Sequence, residues 1–188
     1  SMTGVPDLSD LVAAARASQE RKDFGEAVRQ WQRCLRLAPD HPDRVWWTIF
    51  RAQALFDRGR QALGIAVLRR LARRHPDRAE AIAHLALLYQ RAGAHDLAVP
   101  LWHDLLERFP GSDDRRWWLP CAAFSLLDLG SFETAEELCN AAISAFPTSA
   151  GGYNALSAIC ERRFHWKGAE AAIGRALELC DGDARVPF

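Results

Sequence analysis

The chain has 188 residues, 49% of them hydrophobic, with 24 basic and 24 acidic side chains that cancel to a formal net charge of zero. That apolar content excludes a disordered chain, and the balanced charge excludes a global field that would recruit nucleic acid or an anionic membrane. No run of about 18 uncharged apolar residues occurs, so no transmembrane helix is expected, and the opening SMTGVPDLSD has no basic start and apolar core of a secretory signal.

Ser1-Met2 reads as the remnant of a removed tag, and residues 1–7 as a lead-in. Asp7 or Ser9 is expected to cap a first helix, in which Leu11, Val12, Ala14 and Ala15 recur at helical spacing. The polar break Arg21-Lys22-Asp23 then leads into a second helix through Ala27, Trp31, Cys34 and Leu35, which must end before Pro39. Asp40-His41-Pro42-Asp43 reads as a turn with a helix cap. The next pair is Trp46 to Arg58 and Gln61 to Arg74, with Gly59 between them and Pro76 as the stop. A third pair spans Ala79 to Arg91 and Asp96 to Arg108, divided at Gly93 and closed by Pro110. The fourth spans Asp114 to Leu129 and Phe132 to Ala145, divided at Gly130 and closed by Pro147. The fifth spans Gly151 to Arg163 and Lys167 to Leu179, with a bend at Phe164-His165. No strand alternation interrupts this order, so the predicted class is all-α, with ten helices in five hairpins.

The hairpins repeat in pairs. A shift of 71 residues carries PDRVWWTIFRAQALFDRG (42–59) onto DDRRWWLPCAAFSLLDLG (113–130). It keeps the identity of Asp43, Arg44, Trp46, Trp47, Ala52, Leu55, Asp57 and Gly59 at Asp114, Arg115, Trp117, Trp118, Ala123, Leu126, Asp128 and Gly130. Small residues that anchor each second helix, Ala27, Gly64, Ala98, Ala135 and Ala169, are spaced 37, 34, 37 and 34 apart. Three extra residues therefore precede each even hairpin, where the Trp-Trp pairs stand.

The third hairpin has Ile82-x2-Leu85-Ala86-x2-Tyr89, then Ala98-x3-Trp102, then Pro110. This resembles the tetratricopeptide repeat family, whose 34-residue pattern is W-x2-L-G-x2-Y, A-x3-F and P. The first and fifth hairpins are similar, with Asp181 where the fifth would carry its proline. The even hairpins depart by their longer spacing. The resemblance covers about residues 8–180, as repeats of about 8–41, 42–77, 78–111, 112–148 and 149–180, with 181–188 as a tail. It implies a right-handed superhelical solenoid whose concave groove is lined by the first helix of each hairpin.

Helical geometry then names the groove stripe, since residues at i, i+4, i+7 and i+11 share a face. In the second hairpin it is Trp46, Phe50, Gln53 and Asp57, and in the third Glu80, His84, Leu87 and Arg91. In the fourth it is Trp117, Cys121, Phe124 and Asp128, and in the fifth Gly151, Ala155, Ala158 and Arg162. Asp57, Arg91, Asp128 and Arg162 would form a row of alternating charge, serving either to set the register of a bound segment or only as exposed ion pairs. Trp47 and Trp118 are expected to fill the space opened by the extra residues, while Trp46 and Trp117 stand between groove and core. Loss of both Trp46 and Trp117 is expected to abolish partner capture and leave helicity intact. The run Arg69-Arg70-Leu71-Ala72-Arg73-Arg74-His75 is the strongest local charge feature; it reads first as a solvated helix end, where cations suit the dipole, with contact to nucleic-acid phosphates or an acidic protein patch as the alternatives.

No phosphate-binding loop, dinucleotide fingerprint, H-E-x-x-H or G-x-S-x-G is present, and no histidine pair has metal-ligand spacing, so no enzyme, cofactor or metal is expected. The five cysteines are scattered, without a C-x-x-C, and read as reduced thiols packed as small hydrophobes. They fit a cytoplasmic protein, and an arginine excess over only two lysines has a bacterial look. The chaperone clamp of the resembled family is not matched, because its places hold Val12, Arg16, Phe50, Glu80 and His84. The expected function is a non-enzymatic scaffold that binds a peptide or protein segment in the groove. Two alternatives stand beside it. One is a regulatory or substrate-recruiting domain of a larger enzyme of glycosyltransferase or sulfotransferase type. The other is self-association, giving a homodimer, through the apolar C-terminal face of Ala172, Ile173, Ala176, Leu177 and Leu179.

Overall fold

The computed structural model describes residues 7–180. Those residues form ten helices: α1 (Leu8–Glu20), α2 (Phe24–Leu37), α3 (Arg44–Asp57), α4 (Gln61–Arg74), α5 (Ala79–Arg91), α6 (His95–Arg108), α7 (Arg115–Asp128), α8 (Phe132–Ala145), α9 (Gly151–Arg162) and α10 (Trp166–Cys180). Every proline stop and glycine break read from the sequence falls where expected, within two residues. The readings placed on residues 1–6 and on the tail from Asp181 lie outside the described residues. The helices gather into two compact units, residues 1–88 and 89–188, with the division inside α5.

All five hairpin turns close in one way. The backbone N–H groups of Asp23, Arg60, Ala94, Ser131 and His165 donate to the carbonyls five residues back, at 2.8–2.9 Å. This closure needs a residue with positive φ just past the first helix. Gly59, Gly93 and Gly130 supply it at φ 97°, 78° and 79°. Lys22 (φ 64°) and Phe164 (φ 58°) occupy the same place without being glycine. A side chain there costs about 1–2 kcal/mol, so these two turns are held by their surroundings.

The helix starts differ from expectation. Asp7, Asp43 and Asp114 stand at N-cap positions, yet none of their carboxylates accepts a capping bond, and Ser9 lies inside α1. Asp43 and Asp114 already have near-helical backbone angles (φ/ψ −90°/7° and −70°/−12°), so their side chains point away from the exposed N–H groups. Their own N–H groups donate instead to His41 Nδ1 (3.0 Å) and Ser112 Oγ (3.2 Å), residues that the 71-residue shift also superposes. Asp23 does cap α2, accepting from the Glu26 N–H at 3.4 Å.

In the first unit, Leu11, Ala15, Ala27, Trp31, Trp47 and Leu55 form a continuous core. Gly64 marks the closest approach of α4 to α3, because a Cβ there would lie 2.6 Å from the Ala52 carbonyl oxygen. This is the physical content of the small-residue anchors, and Ala27, Ala98 and Ala135 are likewise completely buried. In the second unit, Ala123, Leu126, Ala135, Cys139, Ala155 and Ile159 form the corresponding core. Gly151 lets α9 approach α7 there, where a Cβ would meet the Pro120 ring at 2.9 Å.

Trp47 and Trp118 are core residues, 2% and 1% exposed. His41 stacks on Trp47, with ring centroids 4.4 Å apart, and Phe109 meets Trp118 edge-on at 6.3 Å. The links before α3 and α7 (38–43 and 109–114) are longer than those before α5 and α9 (75–78 and 146–150). Each of the two longer links carries a ring that roofs its tryptophan, His41 in the first and Phe109 in the second. The two copies differ in polar detail. In the first, Trp31 Nε1 donates to Gln19 Oε1 at 2.8 Å. The matching atoms in the second, Trp102 Nε1 and Gln90 Oε1, are both buried and unpartnered.

Candidate functional site

The predicted stripe residues can be followed in each unit separately. In the first, α3 presents Trp46, 37% exposed, beside half-buried Phe50, with ring centroids 5.9 Å apart. His84 of α5 meets Trp46 edge-on at 5.6 Å and 80°. Phe50 also packs on buried Trp31 at 5.2 Å, and the Arg16 guanidinium lies 5.7 Å from its ring centroid. Gln19 fixes this arrangement, donating from Nε2 to the Phe50 carbonyl at 3.0 Å while its Oε1 holds Trp31. His84 Nδ1 lies 2.7 Å from the Glu80 carbonyl oxygen one turn back, which makes it the donor and sets the ring plane. Gln53 and Leu87 are half-buried on the same helices, and Asp57 is exposed. The result is an aromatic surface of Trp46, Phe50 and His84 with a rigid second layer behind it.

The second unit arranges its stripe differently. Trp117 is half-buried and leans on Trp102 at 5.8 Å and on Trp118 at 6.4 Å. Cys121, Gly151 and Ala155, which the stripe had placed on the groove, are buried. The reason is packing. α7 touches α6, α8 and α9 and has nine fully buried positions, so it retains little free face. Arg91 is exposed.

What α7 and α9 do leave open is a concavity of about 360 Å³, bordered by Phe124, Asp128, Ala158, Arg162 and Phe164. Asp128 is its charged centre. Its Oδ1 accepts from Arg162 at 3.2 Å, and its Oδ2 lies 2.9 Å from His95 Nε2. Asp128 and Arg162 of the expected charged row thus form an ion pair between neighbouring hairpins, about half exposed and worth roughly 0–1 kcal/mol. His95 Nδ1 lies 3.1 Å from Ser125 Oγ. The Ser125-His95-Asp128 chain has the residue types of a hydrolytic triad, but Ser125 is 0% exposed and closed to any substrate.

Sequence reasoning did not single out Phe164 and Trp166. They are 75% and 61% exposed and edge-on with centroids 5.9 Å apart, and Phe164 stands at the lip of this concavity. The signal was available: four hairpin turns carry glycine or lysine at the positive-φ place, and the fifth carries phenylalanine. Among the described residues no group of three metal-ligating side chains occurs, and no helix is long and apolar enough to cross a membrane.

Comparison with known proteins agrees with this architecture. Residues 80–112 match the tetratricopeptide repeat model. No curated protein matches the sequence. Among solved structures, a putative kinesin light chain from Podosopora anserina with nearly identical repeats is similar at TM-score 0.76 and 16% identity, over 92% of this chain and 94% of that one. MamA 41-end from Desulfovibrio magneticus RS-1 is similar at TM-score 0.70 and 14% identity, over 97% and 100%. MamA MSR-1 C2 reaches 20% identity at TM-score 0.64, over 93% and 97%. At such identities the likeness concerns the fold. With its hairpin period, its small-residue anchors and the one matched repeat, the chain has an all-α helical-repeat fold like that of these tetratricopeptide-type structures.

Proposed function

We propose that this chain is a non-enzymatic scaffold that binds a protein segment through two aromatic surfaces, one on the first helices of its hairpins and one at the turn between α9 and α10. One surface is Trp46, Phe50 and His84. The other is Phe164 and Trp166 beside Phe124 and the Asp128–Arg162 pair. The observation that carries the reading is Phe164. Its ring is three-quarters exposed and its backbone sits in a left-handed conformation that glycine would adopt freely. The backbone conformation disfavours the folded state, and the exposed ring returns little core contact to offset it. Strain of this kind is characteristic of places where a side chain is needed by a ligand.

Capture from a lysate tests the proposal, with Trp46→Ala and Phe164→Gly as separate baits. Both side chains are exposed, so circular dichroism is expected to remain that of the parent chain. Trp117→Ala is a poor choice, because half-buried Trp117 supports Trp102 and Trp118. A protein retained by the parent and lost selectively from either variant supports the scaffold. Equal capture by all three removes these residues from the binding surface.

A second reading, self-association, is favoured by α10. Ile173 and Leu177 are 41% and 63% exposed on it, next to the exposed Trp166. A mass that rises with protein concentration and falls back in Leu177→Glu would establish that reading. A constant monomer mass would end it.

A further inference from the structure

A second cavity lies in the first unit, on the side of α3 away from Trp46. Residues Arg44, Thr48 and Arg51 follow one another at i, i+4 and i+7 on α3, about half a turn from the Trp46–Phe50 stripe. Leu63, Val67, Arg70 and Arg74 form the facing stripe of α4. Between them is a cavity of about 450 Å³, within the range of ligand sites. Arg44, Arg51, Arg70, Arg74 and His75 border it, and no carboxylate does. The floor between the guanidinium groups is aliphatic, with Leu35, Leu63 and Val67.

Two observations say that these cations are not there to hold the fold. The first is that Arg51 Nε is buried and has no hydrogen-bond partner. Burial also pulls the Arg51 pKa down, the direction expected of a guanidinium short of water and of a counter-charge. An unpartnered buried donor of this kind opposes folding until something accepts from it. The second comes from the chain's own repeat. The 71-residue shift carries Arg51, Arg70 and Arg74 onto Ala122, Ala141 and Ala145, and His75 onto Phe146. The second copy packs its α7 and α8 with alanine at all three places, so the helix pair does not need the arginines.

We propose that this cavity binds an acidic, aliphatic protein segment, whose carboxylates pair with Arg51 and the rim arginines while a leucine-sized side chain rests on the floor. Arginine forks match carboxylate oxygens two at a time. The aliphatic floor suits a peptide better than a nucleic-acid strand, because no phenylalanine, tyrosine or tryptophan borders the cavity for a base to stack on, and His75 is the one aromatic ring at its edge. This site is separate from the aromatic surfaces and does not depend on their role.

The test is fluorescence anisotropy with the full chain and a labelled octapeptide alternating Glu and Leu. Controls are the same peptide with Gln for Glu, inorganic phosphate as competitor, and a short DNA duplex. Binding of the Glu peptide is expected, weakened about tenfold or more by Arg70→Gln with Arg74→Gln, both exposed and remote from the core. Trp46→Ala is expected to leave this binding unchanged, which separates the site from the proposed scaffold surface. The Arg51 Nε–H resonance is expected to shift on addition of the Glu peptide in the unmutated chain, a readout that needs no variant. Equal binding of the Gln peptide, no loss in the double variant, or an unmoved Arg51 resonance would overturn the proposal. Tighter binding of the duplex, or complete displacement of the peptide by phosphate, would replace the peptide with a phosphate-bearing ligand.

Discussion

Gly64→Ala is the sharpest single test of how the hairpins close. The added methyl carbon would lie 2.6 Å from the Ala52 carbonyl oxygen, 3.2 Å from Phe56 N and 3.3 Å from Phe56 Cβ. The first two are backbone atoms of α3 and cannot rotate away, so α4 must retreat by several tenths of an ångström. Overpacking of this kind costs about 1–3 kcal/mol, and the better helix propensity of alanine returns about 1 kcal/mol. Because the contact at 2.6 Å is with backbone, the upper part of that range, about 2–3 kcal/mol, applies, and the net expectation is a loss of about 1–2 kcal/mol, or about 3–6 °C in melting temperature for a chain of this size. Gly174→Ala is the matched control. It is also helical, but nothing lies within 4 Å of its added carbon. Only propensity acts there, so a gain of about 0.5–1 kcal/mol and a rise of about 2–3 °C are expected. Thermal unfolding followed by far-UV circular dichroism reads both. If Gly64→Ala melts at or above the parent temperature, close approach at the anchor is not what holds α3 to α4.

The tryptophan pairs are expected to separate on the same instrument. Trp118→Ala empties a fully buried site and is expected to cost about 3–5 kcal/mol, whereas Trp46→Ala, whose ring is partly in water, is expected to cost much less. Comparable losses would contradict the division between core and surface rings. Cysteine chemistry gives an independent check on burial. Desolvation, with Glu136 adding to it, pushes the Cys139 thiol up to about 12, and burial pushes Cys121 up as well. At mildly basic pH both are therefore protonated and poor nucleophiles. Iodoacetamide followed by mass spectrometry is expected to label exposed Cys180 first, and Cys121 and Cys139 only after denaturant is added. Rapid labelling of Cys139 in the native chain would refute its place in the second core.

The sequence by itself determined the helices, their order and their pairing. Prolines that cannot continue a helix, glycines that accept positive φ and small residues at a fixed period act within a few residues of themselves. Their consequences are therefore visible without knowing what lies across the interface. The Trp-Trp pairs show where this stops. Adjacent residues on a helix point about 100° apart, so one ring of each pair must face elsewhere. Trp47 and Trp118 find a roof in the longer preceding link, which left the buried member readable.

The remaining assignments depended on neighbours distant in sequence. Trp46 is open and Trp117 is partly closed because Trp102, from the preceding hairpin, leans on the latter. Cys121, Gly151 and Ala155 lost their expected exposure because α7 is covered by three helices. Arg69 to His75 looked like an ordinary solvated helix end. Only when α3 was set beside α4 did Arg70 and Arg74 face Arg44 and the half-buried Arg51, whose Nε has no partner, across one cavity. Local chain rules decide which backbone forms. Burial and charge pairing are properties of two surfaces at once, and only the tertiary structure brings the second surface into place.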